Sequence, residues 1–365
     1  MADLARPPCM TELVGTPLGQ IIAARIAATG PITLAEYMAE CLLHPDHGYY
    51  TTRTPFGAAG DFTTAPEISQ MFGELLGLCL AQSWLDQGAP NPFTLAELGP
   101  GRGTLMADVL RATRAVPGFH AGAQVMLVEA SPALRSEQLA RLAPRDITHA
   151  DSIAALPDQP LFLLANEFFD ALPIRQFQFD GTHWRERLVG VQGGLLAFGL
   201  SDPLTLPFVA PAFRDPAPGR VVEVCPAAQP IAETIGQRIH AHGGAALIVD
   251  YGGWRSAGDT FQAVRAHGFA DPLATPGQAD LTAHVDFEAL AAHAGLPHAY
   301  TGQGPFLLRL GIEARAARLA HSLTGAPLQS HLAAHRRLTH PQEMGSVFKV
   351  LGLHRPGTPP PPGFA

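Results

Sequence analysis

Carboxylates in this chain gather at the ends of short apolar runs, and one of them stands beside a glycine loop. The stretch Glu97-Leu98-Gly99-Pro100-Gly101-Arg102-Gly103-Thr104 closes the apolar run 93–98. Glycines at 99, 101 and 103 let the backbone turn sharply and approach a ligand closely, and a helix opening at Thr104 would present unpaired N–H groups. Glu129 ends the run 124–128, where a carboxylate can accept both hydroxyls of a ribose, and Asp151 and Ser152 follow the run 146–150. A fourth run, 161–165, leads into Asn166-Glu167-Phe168-Phe169-Asp170. Asn166, Glu167 and Asp170 are able to align a nucleophile and take its proton, and the two phenylalanines could wall a pocket and attract a cation. Upstream, Gly60-Asp61-Phe62-Thr63-Thr64-Ala65-Pro66-Glu67 places acids and hydroxyls ahead of a helix. Each feature also has a plain structural reading. A strand-end acid is often a solvated turn residue, the phenylalanines suit a core, Glu167 suits a helix start, and Thr64 with Glu67 suits a helix cap. The set in register tells more than any member.

Groups so placed need parallel strands whose carboxyl ends line up. Runs 93–98, 124–128, 146–150 and 161–165 alternate with helical patterns over 104–116 and from Ser131-Pro132, where serine is the N-cap and proline the first helical residue. Such alternation implies right-handed βαβ crossovers, a parallel sheet and an α/β fold that binds ligands at its strand ends. Ahead of it, 18–28, 34–43 and 67–84 carry helical spacing, which gives a helical N-terminal region, 16–90. After residue 171 the pattern breaks. Residues 174–200 alternate in short steps around Asp180-Gly181 and Gly193-Gly194, as antiparallel hairpins do. Residues 203–218 look irregular, 221–224 read as a strand and 229–242 as a helix. We assign 172–243 to an inserted subdomain, and 91–171 with 244–353 to the core. The core resumes with a strand at 245–249, a helix at 285–294, a strand at 299–302, a helix at 306–321 and a last strand at 347–351. The proline-rich stretch 354–365 is expected to be a mobile tail.

Composition narrows the classes. Of 365 residues 47% are hydrophobic and 15% charged, with a net charge of −8. No basic run is interleaved with aromatics, so no nucleic-acid partner is expected. Cys9, Cys41, Cys79 and Cys225 match no zinc spacing, and the pairs His44/His47 and His331/His335 lack a third ligand, so no metal is expected. The first residues hold no apolar signal core and include Asp3, an acid where a mitochondrial presequence avoids one. The apolar runs 160–165 and 245–249 are too short to cross a membrane. A cytoplasmic protein without membrane insertion is expected.

The Gly-x-Gly-x-Gly spacing, with Glu97 two residues ahead, resembles the first motif of class I S-adenosylmethionine (SAM) methyltransferases; nicotinamide-binding loops keep Gly-x-Gly-x-x-Gly. This likeness implies SAM as the cofactor, held by Glu97, Gly99, Gly101, Gly103, Glu129, Asp151, Ser152 and Asn166, with Asp151 at the adenine amine. Longer segments resemble the MidA family across roughly residues 18–353: GDFTTAPEISQMFGELLG, ELGPGRGTL, LVEASPALR, ANEFFDALP, VDYGG, LTAHVDFEAL and MGSVFKVLG. That family comprises the mitochondrial complex I assembly methyltransferases and their bacterial relatives. The resemblance implies a Rossmann-like core of seven mostly parallel strands. It also implies protein arginine N-methylation, which in mitochondrial members is symmetric dimethylation of a core subunit of respiratory complex I. It makes the loop 60–70, with Asp61, Thr64 and Glu67, a substrate-side element.

The chain lacks the widely spaced glutamate pair that arginine methyltransferases typically carry after the fourth strand; Glu167 and Asp170 are only three residues apart. A guanidinium is almost permanently protonated, so carboxylates have to orient it and remove its proton. Glu167 and Asp170, assisted by Asn166 and by Asp61 or Glu67, are expected to form that acidic clamp. Two other readings fit the same motifs: a small-molecule methyltransferase with an enclosed apolar pocket, and a SAM-binding assembly chaperone. A nicotinamide dehydrogenase is more distant.

Overall fold

The computed structural model describes residues 15–52, 63–206, 216–255 and 258–364. The chain enters through α1 (Pro17–Thr29), whose N-cap Thr16 accepts the Gly19 N–H at 3.0 Å, and continues through β1 (Ile32–Thr33). α2 (Leu34–Leu43) opens on a full capping box between Thr33 and Glu36. Two single turns, α3 (Tyr49–Thr52) and α4 (Ala65–Ile68), precede α5 (Gln70–Asp86). The expected helix over 67–84 is thus split, because Ser69 adopts an extended conformation and caps α5 afresh through the Met71 N–H.

The core begins at β2 (Phe93–Leu98), followed by α6 (Thr104–Thr113), the turn α7 (Phe119–Gly122), β3 (Ala123–Val128), α8 (Pro132–Leu142), β4 (Ile147–Ala150) and β5 (Leu161–Asn166). β2 and β5 are buried at every residue, so neither alternates apolar with polar: Leu161 to Ala165 is a continuous apolar run, and β2 is interrupted only by Thr94 and Glu97. The hairpins come next: β6 (Arg175–Phe179), β7 (Trp184–Gln192) and β8 (Leu195–Leu200), then β9 (Val221–Val224). α9 (Ala228–His242) leads back to β10 (Gly244–Gly253).

A small sheet absent from the sequence reading follows: β11 (Gln262–Arg265), β12 (Gly268–Ala270) and β13 (Asp280–Thr282). β14 (Val285–Asp286) replaces the expected first turn of α10 (Phe287–Ala294), since Asp286 is that helix's N-cap. After β15 (His298–Gly302), the helix expected over 306–321 divides at left-handed Gly311 into α11 (Gln303–Arg309) and α12 (Ile312–Ala320). α13 (Gly325–Thr339) and α14 (Met344–Val347) were not anticipated either, and the last strand, β16, runs Phe348–His354.

The main sheet has the order β15-β16-β10-β5-β2-β3-β4, with β14 beside β10. All neighbours from β10 to β4 are parallel, and β16 runs antiparallel to both β10 and β15. Numbered as core strands in chain order, the sheet reads 3-2-1-4-5-7-6. It winds outward from β2 to β4 and then reverses to β5, so its switch point lies between β2 and β5. One face packs on α5 and α6 through Phe72, Leu76, Leu105 and Val109. The other packs on α9 and α10 through Ile235, Ile239, Phe287 and Leu290. This is the α/β sandwich of a class I methyltransferase, with a helical N-terminal region.

The ranges drawn from sequence need correction in space. α9, assigned to the insertion 172–243, is the crossover helix between β5 and β10 and belongs to the core. β1 pairs antiparallel with β7, which ties the N-terminal region to the insertion. Residues of the small sheet, Ala263 and Leu281, share a core with Leu18, Tyr37 and Met38. One composite lobe therefore stands over the strand ends. The expected mobile tail is seated instead: Phe364 packs on Phe306 at 5.0 Å between ring centroids, and Pro362 O accepts from the Cys79 thiol. No helix among the described residues is long and apolar enough to cross a membrane.

Candidate active site

A cavity of about 710 Å³ opens at the switch point, where sheets of this kind bind ligands. Its floor is the glycine loop and the chain after β3 and β5; the composite lobe roofs it with Tyr50, Thr64, Glu67, Asp280 and Thr282. Gly99 sits at φ +60°, and a Cβ there would lie 2.9 Å from Phe168 Cδ2, so a side chain would collide with the aromatic wall. Gly101 and Gly103 also have positive φ, and left-handed Gly103 starts α6 without any side-chain cap. The first N–H groups of α6 are thereby left for a ligand or solvent.

Glu97 accepts the Met106 N–H, and burial, reinforced by the Glu129 charge, pushes its carboxyl up to about 8. Glu129 accepts the Ser131 N–H at 2.8 Å and the Gln138 amide at 3.3 Å. Gln138 is fully buried; its amide also reaches Gly101 O at 2.6 Å, and its oxygen faces His149 Nε2 at 2.8 Å. It braces the glycine loop against Glu129. Burial raises the Glu129 carboxyl, against the pull of these donors.

The turn after β5 is held in an unusual way. Glu167 has φ +50°, a conformation that costs a non-glycine residue about 1–2 kcal/mol. Its N–H donates to Val249 O at 2.9 Å, and its Oε1 accepts from the Ala65 N–H at 3.0 Å and the Asn166 amide at 3.2 Å. Fully buried Asp250 gathers the next three N–H groups on Oδ2, those of Phe168, Phe169 and Asp170 at 3.2, 3.0 and 3.3 Å. Its Oδ1 accepts the Tyr251 N–H at 3.0 Å. Burial raises the Glu167 carboxyl to about 8, with Asp170 and Asp280 adding to it. Asp170 rises to about 6 through burial, although the Tyr251 hydroxyl bonds to it. Burial, then the charges of Asp170 and Glu167, also raises Asp250. Tyr50 donates its hydroxyl to Asp280 Oδ1 at 2.7 Å.

Among the described residues, six carboxyl groups line this cavity (Glu67, Glu97, Glu129, Glu167, Asp170, Asp280) against two guanidinium groups, Arg102 and Arg337. Arg102 is already engaged by Glu137 at 2.6 Å. The site suits cationic ligands. Three buried oxygens in it, Glu97 Oε2, Asn166 Oδ1 and Asp170 Oδ1, have no hydrogen-bond partner among the described residues. Buried acceptors are rarely left so, and these await donors from a ligand.

Of the residues singled out from sequence, Glu97, Gly99, Gly101, Glu129, Asn166, Glu167, Asp170, Thr64 and Glu67 meet on this cavity. Asp61 lies outside the described residues. Thr64 is the N-cap of the single turn α4, with Pro66 and Glu67 in that turn as the helix-entry reading has it, but it makes no side-chain capping bond and Glu67 reaches the Thr104 hydroxyl at 2.5 Å. Gly103, Asp151 and Ser152 do not line the cavity; Gly103 serves instead as the left-handed start of α6. Arg135, bound to Asp151 at 2.6 Å, draws that side chain outward, and it is 92% exposed. Asp250, Tyr251, Tyr50, Asp280 and Gln138 were missed. Asp250 and Tyr251 could have been found by applying the strand-end rule to β10; the others come from elements whose approach leaves no local pattern.

The chain matches the family described as "Putative S-adenosyl-L-methionine-dependent methyltransferase" over residues 75–304. It is 39% identical to the mitochondrial protein arginine methyltransferase NDUFAF7 of Xenopus laevis, covering 90% of this chain and 82% of that one. The human protein of the same name is 38% identical, over 93% and 83%. A solved structure from Burkholderia thailandensis, bound to S-adenosyl-homocysteine, superposes with a TM-score of 0.80 at 28% identity, covering 96% of this chain and 95% of that one. Similarity of this extent, over a cavity with these acceptors, places the chain: it belongs to the MidA family of SAM-dependent methyltransferases.

Proposed function

We propose that this methyltransferase acts on arginine side chains of a protein. The observation that carries the reading is the buried carboxyl cluster of Glu167, Asp170 and Asp280 beside the glycine loop. The relatives named protein arginine methyltransferases support it. Glu129 would hold the ribose of SAM, and Glu97 with Asn166 Oδ1 would accept from its ammonium group. When bound, SAM supplies an electrophilic methyl on a sulfonium. A guanidinium entering beside Glu167 and Asp170 favours their ionised forms and lowers both from their resting values. Asp170 and Asp280 then orient it, and Glu167, ionised beside the cation, takes the proton released as the nitrogen gains its methyl. Asp250 acts through the turn it fixes, and Glu67 and Thr64 lie on the substrate side.

The finer reading is symmetric dimethylation of a complex I subunit or its bacterial counterpart, in the cytoplasm. Mass spectrometry of arginine methylation in cells with and without the protein tests it. One or more dimethylarginine sites lost on deletion are expected; an unchanged arginine methylome would overturn the reading.

A further inference from the structure

The cavity has a second chemical character away from the glycine loop. Leu42 and Leu43 of α2, Leu172 on the chain after β5, and Val264 and Phe269 of the β11–β12 hairpin all line it. Leu43 is 52% exposed and Phe269 85%, the highest exposure of any large apolar side chain described. Single exposed apolar residues are ordinary. Two from separate elements that line one cavity and stay exposed offer an apolar surface to its ligand.

The hairpin is positioned rather than loose. Val264 pairs with Phe269, and β11 pairs in turn with β13. Its two-residue turn, Ala266-His267, is left-handed at both positions, φ +49° and +62°. Residues that favour such a turn are asparagine and glycine, so the pairing to β13, not the turn, sets the hairpin's place. β13 also carries Asp280, which belongs to the acidic end of the cavity. Val264 pairs with Phe269 on one side and with Asp280 on the other, so one small sheet fixes the spacing between a carboxylate that suits a guanidinium and an exposed aromatic ring.

Building on the arginine reading, we infer that this wall is a specificity site for a bulky apolar side chain adjacent to the target arginine in an extended polypeptide. Successive residues of an extended chain are about 3.3 Å apart along its axis. With its guanidinium in the acidic end, the substrate backbone lies at the mouth and its neighbouring side chains meet Phe269, Leu43 and Val264. Charge complementarity selects the arginine, and the dry wall selects its neighbour. A free small guanidine gains nothing there.

The test uses the full chain, labelled SAM and synthetic peptides with a central arginine in a Gly-Ser background, flanked by leucine, serine or aspartate. The leucine-flanked peptide should have a kcat/KM about tenfold above the serine-flanked one, and the aspartate-flanked peptide the lowest. Phe269→Ser, at so exposed a position, should keep the parent's melting temperature and SAM affinity while that ratio falls towards one. Equal rates on leucine and serine peptides, or a ratio that survives in Phe269→Ser, would overturn the proposal. So would faster methylation of free arginine than of any peptide. If SAM binds normally and no arginine peptide is labelled, the arginine reading itself fails, and this inference with it.

Discussion

Replacing Glu167 by glutamine separates catalysis from stability, because burial makes the same carboxyl useful to one and costly to the other. In the folded chain this acid titrates at about 8, against an ordinary value of 4.5. Between those values the folded state keeps a proton that the unfolded chain has released, so stability falls as pH rises through the interval and levels off above it. At about 1.36 kcal/mol per pH unit, the cost is about 3 kcal/mol at pH 7 and about 5 kcal/mol above pH 8. The side chain meets water in the cavity, so about half of each figure is a realistic expectation. Glutamine keeps the shape, can still accept the Ala65 N–H and is uncharged in both states. The variant should therefore melt several degrees above the parent at pH 8 and with it at pH 4. Methyl transfer should fall about a hundred- to ten-thousand-fold, with SAM affinity nearly unchanged. Scanning calorimetry at the two pH values, with a labelled-SAM assay beside it, measures both halves. A variant that melts lower at pH 8, or gains equally at both pH values, would refute the buried-acid argument. Persisting turnover would refute the base assignment.

The remaining predictions concern the groups around that acid. For the parent protein, kcat/KM should climb with pH and level off near 8, as Glu167 loses its proton; a flat pH profile between 6 and 8 would contradict this. Glu129→Ala removes the acceptor held between Ser131 and Gln138 and should weaken SAM binding about a hundredfold by calorimetric titration, equivalent to roughly 2.7 kcal/mol. Asp151→Ala removes only an exposed ion pair with Arg135, so both SAM affinity and stability should stay within about 0.5 kcal/mol of the parent. A large loss of SAM affinity there would restore the adenine role read from sequence. Asp250→Ala strands three buried N–H groups and should cost about 3–5 kcal/mol in denaturant unfolding.

The parts legible in the sequence were those that local chemistry decides. β2 and β5 are buried on both faces, so they announced themselves as mainly apolar runs without alternation, and the Ser131-Pro132 start of α8 came from capping chemistry alone. The glycine loop and Glu129 followed because strand ends carry ligands in parallel sheets. What stayed hidden depends on distant chain segments. Glu167 is left-handed because Val249, Ala65 and Asp250 hold its turn, and nothing within the local sequence specifies that. The same holds for β11 to β13, which are short and gain stability by packing on α1 and α2. Asp151 is a related case: the strand-end pattern marks it as a ligand, and its pairing with Arg135 outside the cavity lining is not legible in the local sequence.

Transfer of a methyl from SAM to protein arginine in this cavity, with Glu167 as the base, is tested most directly by incubating the full chain and labelled SAM with extract from cells lacking the protein, then hydrolysing the polypeptide fraction and separating its amino acids. Label should appear in methylated arginines and be absent when Glu167→Gln replaces the parent. Label confined to small molecules, or to a different amino acid, would contradict it.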